Sequence, residues 1–82
     1  MVHAFVLVQT EVGRSSLVAA ALRSVDGVQS AEAVVGPYDV VVRAGGEDES
    51  ALAETVGRIQ KVDAITRTLT CQIVDPNAAA RS

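Results

Sequence analysis

Hydrophobic and polar positions change period several times along this chain, and each change marks an element. Val2 to Gln9 is a run of aliphatic and β-branched residues, too short for a buried helix with Gly13 following, so it predicts a first strand. Alternation puts His3, Phe5 and Leu7 on one face and Ala4, Val6 and Val8 on the other. Both faces are apolar, which marks a strand covered on both sides. Beyond a loop at Glu11–Arg14, residues Leu17, Val18, Ala21, Leu22 and Val25 recur at helical spacing. Ser15 or Ser16 is placed to cap that helix, and Arg23 lies in its last turn, where the helix dipole favours a cation. Asp26-Gly27 ends it, with Gly27 expected as the left-handed cap.

Val28 to Val35 reads as a second strand, and Gly36-Pro37-Tyr38-Asp39 as the turn after it, Pro37 fixing φ and Gly36 supplying freedom. Val40, Val41 and Val42 begin a third strand that ends at Gly45-Gly46. Strands joined by so short a link are antiparallel neighbours. Glu47, Asp48 and Glu49 precede Ser50 and a second helix, whose apolar stripe is Leu52, Val56 and Ile59. The last strand covers about Ala64 to Val74, with Ile65, Arg67, Leu69, Cys71 and Ile73 on one face and Thr66, Thr68, Thr70, Gln72 and Val74 on the other. The order is β-α-β-β-α-β. Two right-handed crossovers of this kind interleave into a ferredoxin-like α+β fold, a four-stranded antiparallel sheet with both helices on one face. The expected organisation is a single domain over residues 1–75 and a frayed tail over 76–82, which contains Pro76 and three alanines.

Composition sharpens this picture at one point. An 82-residue chain buries only about 60–65 % of the surface its unfolded form exposes, which is marginal for a lone domain. The single cysteine excludes an intrachain disulfide, and one His with one Cys cannot build a structural zinc site. Yet 49 % of the residues are hydrophobic, almost all of them aliphatic, and the sheet face away from the helices is left bare. A second copy whose sheet packs on that face is the simplest cover, so a homodimer with paired sheets is expected.

Charge excludes other roles. The net charge is −3, and Arg14, Arg23, Arg43, Arg58, Lys61 and Arg67 are scattered singly, so no cationic stripe exists for phosphate neutralisation. Direct nucleic-acid binding is not expected. The opening apolar run lacks a basic flank, and no stretch approaches the ~20 apolar residues that span a bilayer. A cytoplasmic protein without membrane contact is expected.

Candidate chemistry is sparse. His3 has no orienting carboxylate near it in sequence and reads as a surface or structural residue. Cys71 alternates with Leu69 and Ile73, the pattern of a packed core thiol. No catalytic residue, cofactor or metal is expected. Two features remain open. The Gly36–Asp39 turn is either a plain hairpin connection, with Asp39 satisfying turn amides, or a small polar site. In the second case loop amides receive a carboxylate and Asp39 an ammonium group. Thr66, Thr68 and Thr70 either reflect strand propensity on a partly exposed face or present hydroxyls to a polar ligand.

Taken in order, several of these segments resemble one known family. Gly36-Pro37-Tyr38-Asp39 leading into Val40-Val41-Val42 is similar to the turn between strands 2 and 3 of the Lrp/AsnC effector domain, also called the RAM domain. Val25-Asp26-Gly27-Val28 resembles that family's helix-to-strand junction, and Val62-Asp63-Ala64-Ile65-Thr66-Arg67-Thr68 its entry into the last strand. The opening Ala4-Phe5-Val6-Leu7-Val8 with Gly13 also fits, so the resemblance covers about residues 2 to 74. It implies sheet-paired dimers joined into octameric or decameric rings, with an amino acid or similar small metabolite bound in clefts between dimers. It implies further that Gly36, Tyr38 and Asp39 contribute to such a cleft, and that Thr66, Thr68 and Thr70 lie near it. Full-length regulators of the family place a helix-turn-helix domain ahead of this one, whereas this chain opens on strand 1, as in the stand-alone form. The expected role is therefore a sensing module acting in or alongside transcriptional regulation, with a full-length Lrp/AsnC-type regulator as a candidate partner. The competing readings are a small cofactor-free enzyme of the dimeric α+β barrel type and a bare assembly module. The first is disfavoured by the shortage of aromatics and histidine that line such pockets, the second by the intact Tyr38-Asp39.

Overall fold

The strand and helix periods resolve into six elements in a computed structural model that describes residues 1–74. They are β1 (Val2–Thr10), α1 (Ser15–Arg23), β2 (Val28–Ala33), β3 (Val40–Gly46), α2 (Glu49–Gln60) and β4 (Ile65–Gln72). The strands form one antiparallel sheet in the order β2-β3-β1-β4, so β1 is central and β4 is an edge. This is the expected ferredoxin-like βαββαβ arrangement. The expected frayed tail falls outside the described residues.

Cross-strand register decides which side chains share a face. Ala4, Val6 and Val8 of β1 stand opposite Ala44, Val42 and Val40 of β3, and all six are fully buried. Val18, Ala19 and Leu22 from α1 and Leu52, Thr55 and Ile59 from α2 close over them. The core therefore lies between the helices and one sheet face. At about 1.5–3 kcal/mol for each large aliphatic side chain withdrawn from water, that layer is the main source of stability.

The opposite face has no such cover within the chain. Phe5 is 40 % exposed and Leu69 45 % exposed, while Leu7 and Val41 are half-buried only by their neighbours. Arg43 lays its guanidinium over the Phe5 ring at 5.6 Å and donates through Nε to the Gln29 side chain. Cys71, paired across the ladder with Phe5, is on this face and exposed rather than in the core. Alternation with Leu69 and Ile73 places it on the right face, but that face is not the one the helices cover.

Several local expectations are corrected. Helix α1 is capped by Arg14 with no side-chain bond, because Ser15 and Ser16 already lie in its first turn. Its last residue is Arg23, with Ser24 at the C-cap. Gly27 does adopt φ +91°, but to turn the chain into β2, where a Cβ would collide with the Thr55 side chain. Strand β2 stops at Ala33, so Val34 and Val35 are exposed loop residues. Gly36 has neither a positive φ nor a close neighbour, so its backbone makes no demand for glycine. Among the described residues no helix is long and apolar enough to cross a membrane.

Candidate ligand-binding site

The 36–39 loop is tied down by its own backbone and by β1. Asp39 donates its N–H to the Val8 carbonyl at 2.9 Å, and its carbonyl receives the Val34 N–H at 2.8 Å. Its carboxylate is engaged as well: Oδ2 accepts the Thr10 N–H at 2.8 Å. Gln9 adds a bond from Nε2 to the Pro37 carbonyl at 3.0 Å. Asp39 is half-buried and meets the need of a plain connection, satisfying a backbone amide where β1 ends. Its second oxygen has no hydrogen-bond donor among the described residues, and neither has the Tyr38 hydroxyl.

The threonines lie elsewhere. Register places Thr68 opposite Val8 and Thr70 opposite Val6, on the helix side of the sheet. Polar side chains are tolerated there because β4 is the edge strand and α2 sits mainly over β3 and β1. The space left between α2 and β4 is a cleft of about 310 Å³. Glu49, Leu52, Val56 and Gln60, one stripe along α2 at helical spacing, form one wall, and Thr70 and Gln72 line the other. Each end is bridged by a carboxamide. Gln72 Nε2 donates to Glu49 Oε1 at 2.7 Å, and Gln60 Nε2 donates to Thr68 Oγ1 at 3.2 Å.

These groups set out what the cleft can receive. Its floor is aliphatic, and its rim offers a hydroxyl and two carboxamides, each able to donate and accept. Glu49 supplies a single negative charge, suited to an ammonium group. The volume is at the small end of the range for metabolite pockets, ~300–1,000 Å³. Among the described residues no group of three or more His, Cys, Asp and Glu is arranged to hold a metal ion.

Of the six residues singled out in the sequence, Thr70 lines the cleft and Thr68 closes one end of it. Thr66 is exposed near the start of β4 and does not line it. Gly36, Tyr38 and Asp39 contribute nothing to the cleft within one chain. Glu49, Gln60 and Gln72 were not anticipated. Their signal was present: Gln72 continues the threonine alternation, and Glu49, Leu52, Val56 and Gln60 repeat at steps of three and four.

Comparison with known proteins agrees with this architecture. The family model of the Lrp/AsnC ligand binding domain matches residues 3–75. No curated protein matches the chain. Among solved structures, a hypothetical protein from Pyrococcus horikoshii is similar at 29 % identity and TM-score 0.83, with 92 % of each chain covered. A protein from Thermus thermophilus is similar at 28 % identity and TM-score 0.83, covering 92 % of this chain and 95 % of that one. A transcriptional regulator from Neisseria meningitidis, solved as a complex with L-Met, shares the fold at 19 % identity and TM-score 0.75; 92 % of this chain aligns with 51 % of that one.

Proposed function

Since the chain belongs to the Lrp/AsnC ligand-binding domain family, we propose that it senses a free amino acid or a closely similar metabolite through the cleft between α2 and β4. The observation that carries this reading is the cleft itself, which joins an aliphatic floor to the hydroxyl of Thr70 and to the Gln60–Thr68 and Gln72–Glu49 bridges. The L-Met bound to the Neisseria meningitidis regulator is consistent with a ligand of this class. The cleft presents one carboxylate and no histidine or cysteine, which favours binding over catalysis.

The second half of the site comes from another copy. Exposed Phe5, Leu69 and Cys71 support pairing of two sheets into a dimer. Assembly of dimers into an octamer or decamer then brings the Gly36–Asp39 loop of one copy, with its unpartnered Tyr38 hydroxyl, to the threonine side of another. The module works in the cytoplasm in or alongside transcriptional regulation, without binding DNA through these 82 residues, whose net charge is −3. A full-length regulator of the same family is its proposed partner.

Thermal-shift screening of the proteinogenic amino acids tests the reading, because a ligand selective for the folded state raises the melting temperature. At least one amino acid is expected to do so, and Thr70→Val is expected to weaken it about fivefold by calorimetry, the loss of one neutral hydrogen bond. If no amino acid shifts the melting temperature, or if Thr70→Val leaves the affinity of the one that does unchanged, the cleft is not the sensing site.

A further inference from the structure

Helix α2 includes a glycine, Gly57, three residues before its end at Gln60. Glycine gives up more backbone freedom on folding than any other residue, so within a helix it is destabilising relative to alanine. At two other glycines the fold itself supplies the reason. Gly27 has a positive φ and lies against Thr55, and a Cβ at Gly46 would meet the backbone of Ala51 and Leu52. Gly57 has neither reason. Its φ is not positive, and a Cβ built on it would find no heavy atom within 4 Å. What Gly57 does border is the α2–β4 cleft, whose wall it shares with Glu49 and Ala53.

These three residues follow one another at steps of four and so form one ridge along α2, which falls from a carboxylate side chain to a methyl group to no side chain at all. At 1.5 Å per residue, Gly57 stands about 12 Å along the helix from Glu49. We propose that Gly57 is the specificity-determining residue of the cleft, setting the length of the apolar group that it admits. The proposal rests on the sensing function assigned to the cleft above. Glu49 accepts a bond from Gln72 through Oε1 only, which leaves its other carboxylate oxygen for an ammonium group. From that end a short side chain stops beside Ala53, and a long one continues toward Gly57 and Val56. A methyl group at position 57 would take up that room while disturbing nothing within the chain. The stability given up at Gly57 is thereby explained by what the cleft holds.

Calorimetry of the full chain and of Gly57→Ala with L-alanine, L-methionine and L-phenylalanine tests this, together with the melting temperature of each chain alone. Gly57→Ala is expected to melt about 3–6 °C higher, the gain from alanine in a helix. It is expected to weaken L-methionine and L-phenylalanine about fivefold or more relative to L-alanine, as a methyl group inserted into a filled space does. A lower melting temperature would mean that the fold does require the glycine, and would overturn the proposal. Equal effects on all three ligands, or an unsubstituted chain that selects L-alanine over the longer two, would overturn it as well and leave the sensing function of the cleft in place. Failure of every proteinogenic amino acid to bind the unsubstituted chain would remove both.

Discussion

The two faces of the sheet are built from strands of similar sequence and have opposite fates. On β1, Ala4, Val6 and Val8 are fully buried beneath the helices, while one residue away Phe5 remains 40 % exposed. The strand β4 shows why the faces differ. Its residues on the helix side include Thr68 and Thr70, whereas its apolar Leu69 points the other way. No element of the chain covers that face among the described residues, so Leu69 is left 45 % exposed. The same edge position that leaves its threonines uncovered opens the cleft beside α2.

The largest expected difference between the faces is energetic. Ile59→Ala, beneath the helix layer, should cost about 2–5 kcal/mol in urea unfolding, the range for a truncated core side chain. A cost below about 1 kcal/mol would mean that the helix layer is not seated as described. On the bare face, Leu69→Asp should leave the circular dichroism of the fold intact and shift sedimentation to the mass of one chain, since a charge there opposes sheet pairing. Equal sedimentation before and after the change would remove the argument for a sheet-paired dimer. Gly27→Ala tests the seat of α2 directly, because its Cβ meets Thr55 and its φ is positive; about 1–3 kcal/mol of destabilisation is expected by thermal melting. The smallest effect belongs to Asp39→Ala, which removes the acceptor of the Thr10 N–H. It should lower stability by about 1–2 kcal/mol even without ligand, and an unchanged unfolding midpoint would show the bond to be dispensable.

Much of this is legible without coordinates. Period two and period three-to-four yield the element order, and the doubly apolar β1 announces a sheet with two faces to cover. What alternation does not convey is which face the helices take, so a correct neighbour pattern assigns Cys71 to the core on the wrong side. Strand β2 ends two residues short of its pattern: Val34 still donates its N–H to the Asp39 carbonyl, but β3 begins only at Val40, so the ladder goes no further and strand propensity alone does not extend it. The candidate site is half visible. Thr68 and Thr70 sit where the stripe suggests, but Glu49, Gln60 and Gln72 depend on where the axis of α2 runs over the sheet, which is a tertiary distance. Asp39 shows the reverse: its charge draws notice in the sequence, and its position is explained first by one backbone amide of β1.

Thr55 gives α2 a mechanical character. Buried at 2 % exposure, its hydroxyl donates toward the Gly45 carbonyl at 3.3 Å and the Ala51 carbonyl at 3.2 Å, and accepts from Arg58 Nη2 at 3.1 Å. Arg58 in turn holds the Asp26 carbonyl, and Gly27 leaves room for the threonine where any Cβ would not. Sliding the helix along its axis would break the anchor to β3 and the seat against Gly27 together, and Leu52 and Ile59, buried on either side of Thr55, oppose a tilt about it. Thr55 is thus a locating pin, and it keeps the Glu49 and Gln60 ends of the helix opposite Gln72 and Thr68 of β4.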